Sequence, residues 1–459
     1  MSCGCLFGSC IRAICCCGNK SCRDEVGIEF FMNAEDVSVS HAAIIELHSP
    51  LDRTTISQAW EKAKMKNPFL HAKWVAGFIK KRLVILRIIM PETTTSSLEN
   101  VPVNKSLPKF IKCSESSFEE EFQKTVQNKV QFSELIVCDA GLTIQIIVVT
   151  PHSLADGTSM MLILHDILTF YEKPHLSQPL VTEYPTAAQY LSPKLDPKKV
   201  EEFKKRVTAE KGAYRNVVPH TPFKNKRPKH VPTKVTLGKG TPEASKKLLA
   251  FCRKNGITIG TYLFAAFSFI NSKITKSHSK DLRFGVDYNL RDRFPKKLGN
   301  TTVACYISEN AYQPNAELEE TLVQVATRAK RDINEAIENQ EPFMLKVLIG
   351  MFIKDEKGFL PPEQNYTNSS VNFSNVGRYK FDTKYEFGEI REMYCSGFSW
   401  ELYEYTFLFQ TTDRLCLTIT HMDKELYNET AKQYVDGFLE LTENPEKYEF
   451  ETLRSYANL

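Results

Sequence analysis

The sequence predicts an α/β protein built from two domains. Its 459 residues exceed the length, about 250 to 300 residues, at which a single hydrophobic core stops growing. Segments rich in Ile and Val, which are typical of buried strands, alternate along the chain with segments that carry apolar residues at helical spacing. The composition, 42% hydrophobic and 25% charged, is close to that of average globular proteins, so we expect packed cores.

The first half predicts strands and helices in alternation. Residues 41–52 alternate apolar and polar side chains like a strand, and residues 54–74 then have helical spacing until Asn67 and Pro68 interrupt it. Two runs rich in Ile and Val, 81–90 and 141–150, predict buried strands. A helix is predicted from Gly157 onward, with its apolar residues on one broad face.

The pattern weakens between residues 191 and 240, where a polar helix precedes a connection rich in Pro and Lys. We therefore predict an N-terminal tail at 1–25, a first half at 26–190, a basic linker at 191–240 and a second half at 241–459. The second half opens with two helices, at 242–256 and 256–274. Strand-like segments follow at 286–290, 303–308, 371–377, 407–412 and 415–422, and the helix 429–444 closes it.

The charge balance limits the classes of partner. The formal net charge of +4 arises from 59 basic and 55 acidic residues, so we expect no nucleic acid partner. The one strongly basic region is the linker, with Lys224, Lys226, Arg227 and Lys229, which is either a solvated stretch or a binding site for lipid headgroups or a cofactor phosphate. No run of about 18 apolar residues is present, so we expect no membrane-spanning helix.

The N-terminal tail is unusually rich in cysteine. Because the tail is a poor match to a secretory signal peptide, we expect a cytoplasmic protein. In that compartment its cysteines would form no disulfide framework. Three interpretations stay open: S-acylation that anchors the chain to a membrane surface, zinc binding without finger spacing, or an inert tail. The lipidation candidates, which crowd the first 17 residues, are Cys3, Cys5, Cys10, Cys15, Cys16 and Cys17.

The segment Pro-His-Ser-Leu-Ala-Asp-Gly carries the clearest chemical signal. His152 follows a buried strand, and an imidazole held there can accept a proton from a hydroxyl, amine or thiol. Asp156 can cap the following helix, and Gly157 permits a close turn. The alternative is a structural histidine in a turn before a capped helix. By the same weighing, Cys138 and Cys305 are core residues rather than nucleophiles.

This segment resembles the His-x-x-x-Asp-Gly motif of the superfamily that includes chloramphenicol acetyltransferase, condensation domains and alcohol acetyltransferases. Pro151 stands where that motif often has a second histidine. Residues 51–74, 256–270 and 286–300 resemble other parts of the superfamily, and 371–377 resembles its Ser-Asn-x-Gly segment. The resemblance spans roughly residues 28 to 445, and the plant-type Asp-Phe-Gly-Trp-Gly segment is missing.

The resemblance implies a fold and a set of site residues. It implies two similar chloramphenicol acetyltransferase-like α/β halves with mixed sheets and a tunnel at their interface. His152 would be the general base. Asp156 would pair with Arg291, or else with Arg293, to hold the histidine loop, and both arginines could instead be exposed. Ser374 and Asn375 would line the tunnel and stabilise a developing oxyanion, or else they form only a turn at the end of a strand.

The implied function is acyl transfer from a thioester to a hydroxyl or amine acceptor, without a covalent acyl-enzyme. Acyl-CoA is the expected co-substrate, with no permanently bound cofactor and no metal. The acceptor is expected to be a small molecule, and a lipidated tail would fit a hydrophobic one. One chain, as a monomer, would suffice for a complete tunnel. Two alternatives stay open: a non-catalytic member of the fold that binds a ligand or partner, and a condensation-type enzyme that uses acyl groups on a carrier protein.

Overall fold

The computed structural model describes most of the chain between residues 38 and 459. The described ranges are 22–24, 38–71, 73–79, 83–89, 106–127, 130, 132–177, 191, 194–209, 231–278, 282, 284–294, 301–352, 371–397 and 403–459. The strands in these ranges are β1 (Cys22–Asp24), β2 (Ser38–Leu47), β3 (Lys73–Ile79), β4 (Leu83–Ile89), β5 (Lys109–Lys112), β6 (Glu134–Asp139), β7 (Thr143–Pro151), β8 (Thr233–Lys239), β9 (Phe284–Asn289), β10 (Ile307–Tyr312), β11 (Val371–Arg378), β12 (Lys384–Tyr385), β13 (Gly388–Ser396), β14 (Tyr405–Thr411) and β15 (Leu415–Met422).

The helices of these ranges lie between and after the strands. They are α1 (Arg53–Lys66), α2 (Phe118–Gln127), α3 (Gly157–Glu172), α4 (Pro197–Ala209), α5 (Pro242–Lys254), α6 (Ile259–Thr275), α7 (Leu322–Glu338), α8 (Glu341–Phe352), α9 (Glu425–Glu443) and α10 (Leu453–Ala457). Short 3-10 helices lie at Pro68–His71, Glu115–Ser117, Arg291–Arg293 and Pro445–Tyr448.

Two six-stranded mixed sheets form the framework. The first has the order β12-β13-β2-β7-β6-β5 and is antiparallel except between β5 and β6. The second has the order β10-β9-β11-β14-β15-β8, and its strand β11 runs parallel to both β9 and β14. A third, three-stranded sheet has the order β1-β4-β3. The predicted α/β class with two mixed sheets is confirmed.

The central strand of the first sheet is buried on both faces. Ile146 and Val148 of β7 belong to the apolar cluster that contains Trp60 of α1, whereas Ile147 and Val149 belong to a separate cluster. A continuous apolar run is the pattern expected of a strand covered on both sides. Burying each of these side chains stabilises the fold by roughly 1.5 to 3 kcal/mol. The histidine loop therefore leaves from a rigid strand.

The second sheet packs one face against helices through an aromatic core. The rings of Phe267 on α6 and Phe373 on β11 lie 4.9 Å apart, and those of Phe373 and Phe407 on β14 are stacked at the same distance. Tyr434 of α9 packs edge-on against Phe407 at 5.1 Å. Since side chains alternate along a strand, the neighbours of Phe373 and Phe407 must point to the opposite face of this sheet.

Strands from the second half complete the first sheet. Strand β13 pairs along its whole length with β2, and β12 adds to its other side, although both follow residue 241. Likewise, the predicted linker contains α4 and also β8, the edge strand of the second sheet. The boundaries drawn along the sequence therefore do not coincide with the sheets, because pairing between distant strands is invisible in local periodicity.

No single helix in the described part of the chain is long and apolar enough to cross a membrane. Taken together, helices α5 and α6 have the length and apolar composition of a span, but they are bent by 100° at their junction. Both contribute buried residues to the aromatic core of the second half, including Phe251 and Phe267.

Candidate active site

His152 lies directly after β7, in a loop that is buried from Pro151 to Asp156. Its own exposed fraction is 3%, and its ring interacts with backbone groups of His152 and Ala155. Strand β7 ends at this loop and α3 begins just beyond it, as the sequence pattern predicted. The histidine is thus fixed between a central strand and a helix start.

Asp156 connects three parts of the chain through its two carboxylate oxygens. Oδ1 accepts a hydrogen bond from the backbone N–H of Ser159 at 2.8 Å, which caps α3 as predicted. Oδ2 accepts from a guanidinium N–H of Arg291 at 2.5 Å and from the backbone N–H of Tyr306 at 2.7 Å. The side chains of Asp156 and Arg291 are only 0% and 4% exposed, so this ion pair is buried.

The other terminal nitrogen of Arg291 donates to groups that adjoin the same ion pair, whereas its buried Nε has no hydrogen-bond partner among the described residues. Its second terminal nitrogen donates to the hydroxyl of Ser159 at 2.8 Å and to the carbonyl of Ala304 at 3.1 Å, and its guanidinium lies 5.2 Å from the centre of the Tyr306 ring. Arg293 is instead exposed and lies over Phe343. Of the two arginines predicted as partners of Asp156, the structure pairs Arg291.

Burial alone would raise the pKa of Asp156, but the charge and hydrogen bond of Arg291, together with the backbone N–H groups of Ser159 and Tyr306, hold that pKa below its usual value. The carboxylate therefore stays ionised, and a buried ion pair with all of these hydrogen bonds is compensated. Gly157 allows the start of α3 to approach β11: a Cβ there would lie 2.8 Å from Cγ1 of Val376.

The pKa of His152 is lowered, first by burial and further by the positive charge of Lys346, while Asp156 acts in the opposite direction. Lys346 on α8 is 1% exposed, and its Nζ donates to the carbonyl of Cys305 at 3.0 Å. The imidazole is therefore neutral near pH 7 and can accept a proton. Lys346 could not be identified from the sequence, because nothing in its helical segment distinguishes it from a surface lysine.

Gly397 lies against the ring of His152. A Cβ on this glycine would be 3.1 Å from Nε2 of His152 and 4.0 Å from Cδ2 of Leu408. Gly397 follows the last residue of β13. It lies at the same end of the strands as Pro151, because β13, β2 and β7 are successive antiparallel neighbours. Leu408 belongs to β14, so Gly397 lies between the ring of His152 and a strand of the second sheet. His41 of β2 and Gln410 of β14, hydrogen-bonded at 2.7 Å, join the two large sheets.

Ser374 and Asn375 lie side by side on β11 and point in opposite directions. Ser374 is paired with Leu408, so both point toward the first sheet, and its hydroxyl is hydrogen-bonded to Asp287. Asn375 is exposed and paired with Phe409, which packs among the helices. The Asn375 carboxamide accepts from the N–H of Gly377 at 3.1 Å, at a strand irregularity.

The expectation that both residues line the substrate side therefore needs correction for Asn375. Strand alternation turns it away from His152, and its amide stabilises the backbone irregularity, which is the turn-like role that the sequence left open. Ser374 remains a candidate for the substrate side.

The cysteines divide between described and undescribed parts of the chain. The lipidation candidates Cys3, Cys5, Cys10, Cys15, Cys16 and Cys17 lie outside the described residues. Cys138 and Cys305 are fully buried, and burial raises the pKa of Cys138 to about 12, so its thiol is a core group and not a nucleophile. Among the residues that the structure describes, no group of three or more His, Cys, Asp or Glu side chains could hold a metal ion.

We predict that Arg291→Met lowers the free energy of unfolding by about 3 to 5 kcal/mol, since it leaves Asp156 buried without its counter-ion. Arg293→Met is the matched control, because it removes the same charge from an exposed position two residues away and should cost less than about 1 kcal/mol. Denaturant unfolding of the full chain measures both. Equal losses in the two variants would contradict the clamp role of Arg291.

No family model matches the sequence, and no curated protein matches it. Solved structures do match over nearly the whole chain. The first condensation domain of the CDA synthetase is 13% identical, with a TM-score of 0.70, over 95% of this chain and 99% of that one. TRI3 trichothecene 15-O-acetyltransferase from Fusarium sporotrichioides is 12% identical, with a TM-score of 0.67, over 91% and 95%.

A third similar structure is polyketide synthase associated protein 5 from Mycobacterium tuberculosis, which is 12% identical, with a TM-score of 0.64, over 92% of this chain and 97% of that one. At such low identities the likeness concerns the fold. The chain has the two-sheet α/β fold of condensation domains and of this O-acetyltransferase, as the resemblance in its sequence implied.

Proposed function

We propose that this protein transfers an acyl group from a thioester to a small-molecule acceptor, with His152 as the general base. One observation carries the proposal: a buried imidazole of lowered pKa, in a loop held by the Asp156–Arg291 ion pair, has its Nε2 beside Gly397, near the point where Leu408 of the second sheet approaches. The shared fold with an O-acetyltransferase and with condensation domains supports transfer chemistry in general.

The proposed reaction proceeds without an acyl-enzyme. Nε2 of His152 accepts the proton of the acceptor hydroxyl or amine. The oxygen or nitrogen of the acceptor at the same time attacks the thioester carbonyl with its lone pair. The resulting tetrahedral intermediate collapses with cleavage of the carbon–sulfur bond, and the imidazolium returns its proton to the departing thiolate. Ser374, on the same side of its sheet as Leu408, is the proposed hydroxyl donor toward the substrate, to which it would turn by exchanging its hydrogen bond to Asp287. Coenzyme A is the proposed acyl carrier, and a carrier protein is the alternative donor.

Replacement of His152 tests the proposal directly. We expect His152→Ala to lower kcat/KM by roughly 10²- to 10⁴-fold, because the proton acceptor is lost. The measurement is release of free thiol from acyl-CoA donors, acetyl to palmitoyl, with panels of alcohols and amines as acceptors. His48→Ala, at an exposed position, is the control and should keep full activity. The same assay with carrier-protein thioesters separates the two donor classes.

Two outcomes would reject the assignment: unchanged turnover in His152→Ala, or no transfer by the unmodified protein from either class of donor. The second outcome would favour a non-catalytic binding protein with this fold.

The lowered pKa of His152 predicts the pH dependence of the rate. Because the neutral ring is the active form, the acid-side decline of kcat/KM should lie at lower pH than the decline expected for a solvent-exposed histidine. Lys346→Met removes a positive charge that lowers this pKa, so the acid limb should move to higher pH. A limb that stays in place, or moves to lower pH, would show that Lys346 does not act on the catalytic imidazole.

Gly397 should be required for access to Nε2. We expect Gly397→Ala to lower kcat/KM by about tenfold or more, since its Cβ would stand 3.1 Å from Nε2, where the acceptor must approach. Gly240→Ala is the matched control: a Cβ there contacts only the carbonyl oxygen of Leu415, at 3.8 Å. The measurement is kcat/KM of both variants by steady-state kinetics. Full activity of Gly397→Ala would show that the acceptor does not approach Nε2 beside this glycine.

A further inference from the structure

A row of polar side chains crosses the second sheet on the face that includes Ser374 and Leu408. In the strand registers, Glu309 of β10 is paired with Asp287 of β9, and Ser374 of β11 with Leu408 of β14. A hydrogen bond between Asp287 and Ser374 joins the two halves of this row. The opposite face of the same strands carries Phe284, Val286, Phe373 and Phe407 in the aromatic core. The acidic residues therefore face away from the helices.

The row extends toward the histidine loop. Cys395 of β13 is two residues before Gly397, and its pKa is raised to about 12 by burial first and then by the negative charges of Asp156 and Asp287. Cys395 is therefore close enough to both carboxylates for their negative charges to raise the pKa of its thiol. Asp287 and Asp156, which holds the loop that carries His152, are thus both near Cys395.

The two carboxylates form an acidic pair that no basic side chain among the described residues neutralises. Glu309 is 6% exposed and accepts a hydrogen bond from the hydroxyl of Tyr403, while Asp287 accepts from Nδ2 of Asn372 at 3.2 Å. None of the described lysine, arginine or histidine side chains makes an ion pair with either acid. Asp156, the other deeply buried acid of this region, has Arg291.

The electrostatic consequence follows from burial. Burial, and then the charge of Asp287, raises the pKa of Glu309 to about 8, and burial raises the pKa of Asp287 to about 6. Keeping two like charges close together in a poorly hydrated place is costly, and a cation between them would relieve that cost.

The neighbourhood also offers hydrogen-bond acceptors without donors. The Oδ2 atom of Asp287 and the Oδ1 atom of Asn372 are buried and have no hydrogen-bond partner among the described residues, and Asn372 is 0% exposed. Since the Asn372 amide donates to Asp287, it belongs to the same cluster. Buried acceptors of this kind are usually satisfied, so their lack of donors points to a ligand that brings N–H groups.

Glycine at position 285 makes room for this arrangement. A Cβ there would stand within 2.9 Å of the carboxylate carbon of Glu309 and 3.1 Å from Nδ2 of Asn372. The Glu309 carboxylate therefore lies directly over the β9 backbone, on the face that it shares with Asn372 and Asp287.

We propose that Asp287 and Glu309 bind a cationic amine on the acyl acceptor, with Asn372 as an additional acceptor, while the reacting hydroxyl of that molecule lies at His152. Only the position of the reacting hydroxyl at His152 rests on the proposed function, whereas the cation site does not. The proposal names the substrate class as amino alcohols and related compounds that carry a protonated nitrogen apart from the nucleophile.

Equilibrium binding tests the cation site without requiring turnover. The probes are n-alkylammonium chlorides from butyl to octyl and the n-alkanols of matched length, titrated calorimetrically into the full chain. We expect the ammonium compounds to bind roughly 10- to 100-fold more tightly than the matched alcohols. The preference should be lost in the double variant of Asp287→Asn and Glu309→Gln, both of which keep the side-chain shape.

Glu392→Gln is the matched control. Glu392 is also buried, at 7% exposed, but it is already paired with Lys239 at 2.6 Å, so its neutralisation should leave the ammonium preference unchanged. Circular dichroism and thermal unfolding establish that each variant is folded. Equal binding of ammonium compounds and alcohols, binding of neither, or a preference that survives in the double variant would overturn the proposal.

Two further arms separate this proposal from its alternatives. Ca²⁺ or Mg²⁺ that binds alone, is lost in the double variant and is not matched by any ammonium binding would overturn the amine assignment in favour of a metal site. His152→Ala should retain the ammonium preference, so the cation site can be upheld even if acyl transfer fails. Conversely, transfer to acceptors without any ammonium preference would keep the proposed function and reject the acidic subsite.

Discussion

The buried ion pair between Asp156 and Arg291 is the constraint on which the rest of the site depends. It joins the loop after β7 in the first half to the short helix after β9 in the second half. Because removing either partner would leave an uncompensated charge in the interior, both segments must keep the positions seen here for the fold to be stable. The position of His152, between the strand and Asp156, follows from this pair and not from contacts of the imidazole alone.

The same interior keeps acidic groups in opposite electrostatic states. Asp156 is ionised because Arg291 and two backbone N–H groups outweigh its burial. Glu309 is also buried and Asp287 is partly buried, but their described hydrogen-bond partners are neutral, and their pKa values rise. A group with a fixed counter-ion is structural, whereas one whose charge is uncompensated is available to a ligand. Electrostatic environment thus distinguishes carboxylates that the sequence alone presents as equivalent.

The sequence predicted those features that local pattern determines. The end of the strand at Pro151, the helix cap at Asp156 and the ionic partner at Arg291 were accessible because strand periodicity, capping chemistry and a known motif all point to them. Ser374 and Asn375 were predicted together, but a side-chain period of two separates them onto opposite faces, and only the pairing of β11 shows which face is which.

Features that depend on distant strand pairing could not be predicted. Gly397 is one glycine among 20, and its contact with His152 exists only because β13 leaves the second half to pair with β2. The acidic pair arises from the register between β9 and β10, in which a slip of β10 by one residue would turn Glu309 to the other face and separate it from Asp287. Lys346 resembles any helical lysine until its burial is known.

The path of the chain through β13 also limits how the site can open. Strand β11 belongs to the second sheet, β12 and β13 to the first, and β14 again to the second. Separating the sheets would therefore require the ladder between β13 and β2 to break, along with the Asp156–Arg291 pair. Both are costly, since they expose buried backbone groups or isolate a buried charge. Reactants must then reach Nε2 by movements of side chains and loops around a closed framework, which makes a glycine beside the imidazole a direct way of leaving room for them.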